Sequence, residues 1–145
     1  MPVTVRQITR WRKEVENAPG VLAGTLEPFA RGGVDLQVVM GYRYPENESK
    51  AAIELYPIMG KKLTDAAKAA GLEASSIPTL IVQGDNKPGL GHAIARALAD
   101  AGLNLGFLVA QVIGRRYSAV IGFASDEDAK KAASLIKRAT VAKKR

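Results

Sequence analysis

An internal repeat is the feature that most constrains the fold of this chain. The segment 17–21 (Asn-Ala-Pro-Gly-Val) recurs as 86–90 (Asn-Lys-Pro-Gly-Leu), at an offset of 69 residues. The same offset relates 33–36 (Gly-Val-Asp-Leu) to 102–105 (Gly-Leu-Asn-Leu). Two matches at one offset indicate a duplicated unit of about seventy residues, with too few copies for a solenoid. We therefore expect two small domains in tandem.

The expected boundary between the two domains follows Gly71 and Leu72. Residues 73–76 (Glu-Ala-Ser-Ser) form a polar stretch of the kind that separates periodic segments. The length of 145 residues allows one compact domain or two very small ones. We accordingly predict domain 1 over residues 1–72 and domain 2, which ends in a basic tail, over residues 73–145.

The second copy has the clearer pattern of helices and strands. Residues 79–83 (Thr-Leu-Ile-Val-Gln) predict a short strand. Pro88 suits the first turn of a helix, and the apolar residues after it recur at helical spacing until a glycine ends the helix. Strands over 103–113 and 117–123, joined by a short turn, then predict a hairpin before the final helix.

The first copy predicts the same order of elements. A strand lies within residues 3–15, and a helix follows it. Residues 34–44 and 51–58 predict a hairpin with a longer polar loop, and residues 63–70 predict the second helix. Because an interior proline loses a backbone hydrogen bond, we expect Pro28 to kink or shorten the first helix.

The sequence leaves the fourth strand of each copy open. The first copy can end in residues 76–78, or strand 79–83 can serve both copies, and only residues 140–142 follow the last helix. With a fourth strand, each copy has the β-α-β-β-α-β order of the split βαβ sandwich. We therefore predict an α+β chain of two tandem ferredoxin-like domains, each with an antiparallel sheet that helices cover on one face.

The composition argues against several classes of protein. The chain lacks cysteine, which excludes disulfides and cysteine-based metal sites. No apolar run reaches the roughly 18 residues of a membrane span. The start of the chain lacks the charged head and apolar stretch of a signal peptide. We expect a cytoplasmic protein that has no membrane partner.

The net charge of +7 comes from 21 Lys and Arg residues against 14 Asp and Glu residues. The surplus is concentrated at residues 137–138 and 143–145. A basic tail can bind nucleic acid, or it can be a solvated end that aids solubility. Because the tail is short and has no aromatic ring, we favour the solvated end over a nucleic-acid site.

The repeated motifs resemble those of the ACT-domain family. An Asn-x-Pro-Gly corner opens the first helix of both copies, and a glycine-led segment opens the second strand. The resemblance covers nearly the whole chain, twice, and is closer in the second copy. ACT domains are small ferredoxin-like modules that bind amino acids and regulate metabolic enzymes. The resemblance implies a free amino acid as effector, a homodimer and a metabolic enzyme as partner.

The physical chemistry of these corners suits an amino acid. A helix N-terminus has unpaired N–H groups and a partial positive charge, which attract a carboxylate. A glycine lets a ligand approach the backbone, and an asparagine both donates and accepts hydrogen bonds. The predicted ligand-binding residues are Asn86, Lys87, Gly89, Leu90 and Asn104 in the second copy, and Asn17, Gly20 and Val21 in the first.

We expect Asn104 to begin the strand next to Asn86, at the same end of the sheet. In the serine-binding members that the second copy resembles, the two corresponding asparagines contact the ligand, and a histidine stands two residues before the first. Gly84 and Val15 occupy that position here, so the resemblance does not extend to serine specificity. Asp35 replaces Asn104 in the first copy and would repel a carboxylate.

Several polar and ionisable residues can be explained by structural roles rather than by binding or catalysis. Asn86 and Asn17 can instead cap a helix. His92 is the single histidine and lies off the apolar helix face, which predicts a surface position. The acids 126–128 follow Ser125 as in a capping box. No spacing indicates a catalytic triad or a phosphate loop, so we predict no catalytic residue, no metal and no cofactor.

Three functions remain open. The leading one is a regulatory module that binds a small amino acid at a domain interface. The second is RNA binding, because RNA-recognition motifs share the element order. Residues 115–122 keep one aromatic, Tyr117, but have Ala119 and Gly122 where such motifs need further rings. The third is a protein–protein docking module that has lost its ligand.

Overall fold

The computed structural model describes residues 3–141, which contain eight strands and four helices. The elements are β1 (Val3–Ile8), β2 (Trp11–Glu16), α1 (Val21–Arg31), β3 (Val38–Tyr44), β4 (Asn47–Tyr56), α2 (Lys61–Ala69), β5 (Glu73–Ala74), β6 (Thr79–Asp85), α3 (Leu90–Asp100), β7 (Phe107–Ile113), β8 (Arg116–Gly122) and α4 (Asp126–Thr140). The strands form two antiparallel sheets, with the orders β1-β6-β8-β7 and β3-β4-β2-β5. None of the helices described has both the length and the apolar character needed to cross a membrane.

The chain divides into two compact units, but the division differs from the expected boundary at residue 72. The inserted unit comprises residues 9–75. The split unit combines the residues up to 8 with those from 76 onward. Its first segment, β1, pairs antiparallel with β6 rather than with β2. The physical reason is that β6 is a largely buried central strand, whose backbone groups need hydrogen-bond partners on both sides.

Each unit completes its sheet with a fourth strand that sequence reasoning did not locate. In the inserted unit this strand is β5, which has two residues and pairs with the start of β2. In the split unit it is β1, which comes from the other end of the chain. Both units then have the strand order of a ferredoxin-like sandwich, so the prediction of two such domains is confirmed.

The sequence repeat is also a structural repeat. The helices α1 and α3 start 69 residues apart and each has 11 residues. Ala51 of β4 pairs with Val15 of β2, and Tyr117 of β8 pairs with Gly84 of β6. Val15 and Gly84 are 69 residues apart, whereas Ala51 and Tyr117 are 66 apart. The hairpin of the inserted unit is therefore three residues longer, and the register of β3 against β4 shifts after Arg43.

Apolar side chains of sheet and helices form a separate core in each unit. The core of the split unit includes Leu80, Ile94 and Ile121, and that of the inserted unit includes Phe29 and Leu55. These residues follow the helical and strand periodicities expected of one-sided burial. The burial of these apolar side chains holds the helices of each unit against its sheet.

Two expectations about the helices have different outcomes. The hydroxyl of Ser125 accepts a hydrogen bond from the Asp128 N–H at 3.1 Å, so the predicted cap of α4 is confirmed. Pro28 does not shorten α1, which continues to Arg31 and is as long as α3. The proline removes only the hydrogen bond to the carbonyl of Gly24, an exposed residue whose carbonyl water can reach.

Candidate functional site

The corner before α3 in the split unit is a tight turn that leaves the helix start uncapped. The N–H of Asn86 donates to the carbonyl oxygen of Arg115 at 2.7 Å. Gly89 has a φ of 86°, a left-handed conformation that favours glycine, and α3 begins at the next residue. No side chain caps the helix, so capping is not the role of Asn86. Within the described residues, the N–H groups of Gly91 and His92 meet no acceptor.

The corner before α1 in the inserted unit has the same construction. Gly20 has a φ of 87°, and no side chain caps α1. Asn17 is held by the hairpin: its N–H donates to the carbonyl of Ser49 at 2.9 Å, and its side-chain amide donates to the carbonyl of Glu48 at 3.0 Å. Capping is therefore not the role of Asn17 either.

Asn104 lies at the opposite end of the sheet from Asn86, so the expectation that they share one end is wrong. The first residues of β6 and β7 both pair with Gly122, and the last residues of both pair with Arg116. Asn86 follows the last residue of β6, whereas Asn104 precedes the first residue of β7. Six residue steps of ~3.3 Å put ~20 Å between the two ends. The cause is the crossover through α3, which makes β6 and β7 parallel.

The predicted site residues differ in exposure. Asn86, Lys87, Gly89, Asn104, Asn17 and Gly20 are exposed. Leu90 is buried in the core of the split unit, and Val21 packs against the core of the inserted unit. The side chains of Leu90 and Val21 therefore serve the cores, and only their backbone groups face the corners.

A cavity adjoins the corner of each unit, but the two cavities lie on different sides of the helix start. In the split unit, a cavity of about 350 Å³ is lined by residues 87–90, Ala93 and the end of α4. Neither Asn86 nor Asn104 lines it. In the inserted unit, a cavity of about 210 Å³ lies between α1 and the sheet, and Asn17 and Val21 line it.

A second cavity in the inserted unit lies near the position that corresponds to Asn104. It has a volume of about 380 Å³ and is lined by residues 32–35, Pro57, Met59, Lys62 and Leu63. Asp35 therefore lies by a cavity of its own, at the opposite end of the sheet from Asn17.

Ion pairs flank both corners at equivalent positions. In the split unit, Arg116 contacts Asp85 at 2.7 Å. In the inserted unit, Lys50 contacts Glu16 at 2.7 Å, and this hydrogen bond raises the pKa of Lys50 above its ordinary value. The longer hairpin adds a further pair there, between Arg43 and Glu48 at 2.8 Å.

Sequence reasoning missed a buried ionic cluster in the inserted unit. Arg10 and Glu54 form an ion pair in which both side chains are almost fully buried, and burial lowers the pKa of Arg10. The hydroxyl of Tyr42 donates to Glu54 at 2.6 Å, and Arg12 donates to the hydroxyl of Tyr44. The available sequence signal was that Arg10 and Arg12 stand two residues apart, which is the spacing of side chains on one face of a strand. The prediction of a single strand within residues 3–15 hid this signal.

The side chains invoked for other functions have structural positions. Tyr117 belongs to the core of the split unit, where burial raises its pKa, so its ring is not available as a stacking platform for RNA. His92 is exposed, as predicted. Among residues 3–141, no group of three or more His, Asp or Glu side chains is placed so that it could hold a metal ion. Residues 143–145, the predicted basic tail, lie outside the described residues.

No family model and no curated protein matches the chain. Solved structures match it along nearly its whole length. The protein BT0572 from Bacteroides thetaiotaomicron has a TM-score of 0.72 at 14% identity, over 90% of this chain and 88% of that one. The regulatory subunit of aspartate kinase from Thermus thermophilus has a TM-score of 0.65 at 16% identity, over 97% and 98%. Its counterpart from Thermus flavus has a TM-score of 0.59 at 17% identity, over 96% and 97%.

At these identities the likeness is one of fold. It extends across both units rather than over a single ferredoxin-like module. The duplicated element order, the two four-stranded antiparallel sheets and the full-length match agree with one another. The chain has the tandem ACT fold of aspartate kinase regulatory subunits.

Proposed function

We propose that the protein is a cytoplasmic regulatory module that binds a small free amino acid and has no catalysis of its own. The observation that carries this proposal is the uncapped corner that both units share. Each corner combines a left-handed glycine with first-turn N–H groups that meet no acceptor within the described residues. Such groups attract a carboxylate. The full-length likeness to aspartate kinase regulatory subunits supports a regulatory role.

The proposed contacts are the eight residues of the two corners and of the following loop: Asn86, Lys87, Gly89, Leu90, Asn104, Asn17, Gly20 and Val21. Since Asn86 and Asn104 lie at opposite ends of one sheet, a single small ligand cannot contact both within one unit. Asn104 contributes to a site at Asn86 only when it comes from a second copy. The proposal therefore includes a homodimer.

The edge strand β7 is suited to pair with its own copy. Its seven residues are uncharged, and six of them are exposed. Soluble proteins usually protect such edges with charges or bulges. The corresponding edge strand β3 has both, since Arg43 lies at its register shift. Antiparallel self-pairing centred on Ala110 would bring the Asn86 end of one copy to the Asn104 end of the other.

The dimer is tested by placing one charge on each edge strand. Val112→Lys on β7 should convert a dimer into a monomer, because the charge would be desolvated in the paired strand. Val39→Lys on β3 is the matched control, since Val39 is 45% exposed and Val112 is 50% exposed. Light scattering after gel filtration gives the mass. A monomeric wild-type protein, or a dimeric Val112→Lys variant, would refute the dimer.

We propose a metabolic enzyme as the partner on which the module acts. One solved structure of the same fold comprises the alpha and beta subunits of aspartokinase, with a TM-score of 0.61 at 15% identity over 96% of this chain. An amino acid changes such an assembly only if it binds two states with different affinity. The effector and the partner should therefore influence each other's affinity to the same extent.

Amino-acid binding is tested by a thermal-shift screen of the twenty standard amino acids, followed by calorimetric titration of each hit. A ligand that binds only the folded protein raises the unfolding temperature, and the rise grows with the logarithm of its concentration above the Kd. We expect a small subset to bind at millimolar concentration or below. If none binds, the effector role is refuted, and the docking module that lacks a ligand becomes the better account.

A further inference from the structure

We infer that the exposed face of α4 binds the phosphate backbone of duplex DNA, without regard to base sequence. The inference goes beyond the proposed function and does not depend on it. It starts from the distribution of charge along the chain. Residues 1–128 contain 14 Lys and Arg residues and 14 Asp and Glu residues, whereas residues 129–145 contain seven Lys and Arg residues and no acid. The whole net charge of +7 therefore belongs to α4 and the residues after it.

Four of these seven cations lie together on the exposed face of α4: Lys130, Lys131, Lys137 and Arg138. Each is three or four residues from Ser134, so they surround this residue on one face of the helix. At 1.5 Å per residue, the group extends over ~12 Å. The opposite face of α4 packs into the core of the split unit, which fixes the helix. We call the four residues the α4 stripe.

The cations of the α4 stripe have no ion-pair partner among residues 3–141. Six exposed or half-exposed cations elsewhere do pair with an acid: Arg31, Arg43, Lys50, Lys61, Arg96 and Arg116. The acids of α4 are confined to its first turn, residues 126–128. Because like charges one helical turn apart repel one another, an anionic surface that neutralises the stripe would relieve this repulsion.

The equivalent helix of the inserted unit is too short to carry the whole stripe. α2 has 9 residues and α4 has 15, and Lys137 and Arg138 lie beyond the length that the two helices share. Cations in the last turn of a helix interact favourably with the helix dipole. Lys130 and Lys131 lie in the first half of α4, where this reason does not apply. The helix dipole therefore accounts for only half of the α4 stripe.

The exposed face of α4 suits phosphate groups better than a protein or a membrane. The centres of protein–protein interfaces are enriched in aromatic residues and depleted in Lys, whereas interfaces with DNA are strongly positive. Helices that bind at a membrane surface insert apolar side chains beside their cations. From Asp126 to Thr140, no large apolar side chain is exposed. The stripe therefore has the charge for phosphates and lacks the apolar contacts that the other two surfaces need.

Duplex DNA fits the α4 stripe better than RNA does. Single-stranded RNA is bound largely by stacking on exposed rings, and α4 contains no aromatic residue. The major groove of an RNA duplex is deep and narrow, whereas that of B-form DNA is ~12 Å wide and admits a helix between its two phosphate strands. Contacts to phosphates carry no sequence information. We therefore expect the affinity to be independent of base sequence.

The basic tail continues the same charge along the chain. Lys143, Lys144 and Arg145 follow α4 in the sequence and lie outside the described residues. Considered alone, three cations without an aromatic ring favoured a solvated end. The α4 stripe adds four cations on a rigid helix, so the segment as a whole can neutralise more phosphates than the tail can.

The test is the fluorescence anisotropy of a labelled DNA duplex of about 20 base pairs, or two helical turns. The duplex is titrated with the full-length protein at several salt concentrations. We expect a Kd in the micromolar range at about 50 mM salt, and a slope of log K against log salt of about −3.6 or steeper, since each neutralised phosphate contributes about −0.9. A duplex of unrelated sequence should bind equally well. Absence of binding to both duplexes at this salt concentration would overturn the inference.

Two double variants of the α4 stripe locate the site. Lys130→Gln with Lys137→Gln should weaken DNA binding at least tenfold and make the salt slope shallower by about 2, because two phosphate contacts are lost. Lys131→Gln with Arg138→Gln should have the same effect. Glutamine is a good helix former, and circular dichroism verifies that each variant is folded. Because the two variants change different residues, the test does not depend on the folding of either one.

The matched control is Lys62→Gln with Lys68→Gln on α2. Both lysines are exposed and have no ion-pair partner among the described residues. The control protein has the same net charge as the stripe variants, and it differs from them in the position of the lost cations. It should bind DNA nearly as well as the wild-type protein. Equal weakening by the control and the stripe variants would mean that net charge alone acts, and would overturn the site.

Three further probes compare the alternative partners at equal ionic strength: vesicles that contain phosphatidylserine, poly-L-glutamate and an RNA duplex of the same length. We expect each to bind more weakly than the DNA duplex. Tighter binding of any of them would overturn the assignment to DNA. None of these outcomes affects amino-acid binding, so the proposed function is tested separately.

Discussion

The inserted and the split unit have the same order of elements but use the same positions differently. Both keep a left-handed glycine before the first helix and an ion pair beside it, Lys50 with Glu16 and Arg116 with Asp85. The split unit fills the space behind this corner with Tyr117, whereas the inserted unit leaves it open. The comparison teaches that both units share the backbone of the corner, and that a few side-chain volumes decide whether the space between the helix start and the sheet is open.

The sheets differ in a second way. The inserted unit buries the ion pair of Arg10 and Glu54, and the corresponding positions of the split unit hold Thr79 and Val120. Thr79 and Val120 are also buried. The same sheet position therefore accommodates either a charged pair or a small uncharged pair. Buried charges that are fully paired often give no net stability over apolar residues.

Removal of the ring in the split unit should have the largest effect. Tyr117→Ala leaves a cavity in the core, so we expect the free energy of unfolding to fall by about 4 kcal/mol, within the range for aromatic-to-alanine changes. Urea unfolding followed by circular dichroism measures the loss. Met59→Ala, at a position 62% exposed, is the control and should change little. A similar small change for Tyr117→Ala would show that the ring does not support the core.

Glu54→Gln should be the next largest change, at about 3 kcal/mol, because it removes the carboxylate that balances the buried charge of Arg10. The double variant Arg10→Thr with Glu54→Val copies the pair of the split unit into the inserted unit. It should be more stable than Glu54→Gln, since no buried charge remains. Urea unfolding of the three proteins gives the comparison. A double variant less stable than Glu54→Gln would mean that the sheet position is not interchangeable.

Alanine at the two corners should cost ~1–2 kcal/mol in either unit, because Gly20 and Gly89 have a positive φ. Equal losses of unfolding free energy for Gly20→Ala and Gly89→Ala would support the equivalence of the two corners. Gly24→Ala, inside a helix and without a positive φ, should instead stabilise by up to ~1 kcal/mol. Thermal unfolding distinguishes these signs, and a neutral Gly89→Ala would contradict the strain at that corner.

The exposed ion pairs should give the smallest effect. Lys50→Ala and Arg116→Ala should each change the unfolding midpoint little, and less still in concentrated salt. Because the partner raises the pKa of Lys50, its contribution persists below the ordinary pKa and is lost as the pH rises through the raised value. Unfolding midpoints at neutral and alkaline pH measure this loss. A large, salt-insensitive effect at either position would mean that the pair is more than a surface contact.

Much of the fold could be predicted because it depends on local chemistry. The left-handed glycines, the cap at Ser125 and the hairpins are encoded within a few residues of where they occur. The placement of β1 could not be predicted, since Val3–Ile8 is as good a strand beside β2 as beside β6. Seven of the eight candidate residues lie in the two corners that the sequence repeat marks, but the separation of Asn104 from Asn86 required the direction of β7.

The sequence by itself determined that this protein is a duplication of a ferredoxin-like unit with two glycine corners, because repeats, turn glycines and periodicity act over short distances along the chain. The tertiary structure alone decided which sheet receives the first strand. It also decided that Asn86 and Asn104 lie at opposite ends of that sheet, and which unit leaves the space between its helix start and its sheet open. These features depend on hydrogen bonds and side-chain packing between residues far apart in sequence. The residues that neighbour each other along the chain carry no signal for such contacts.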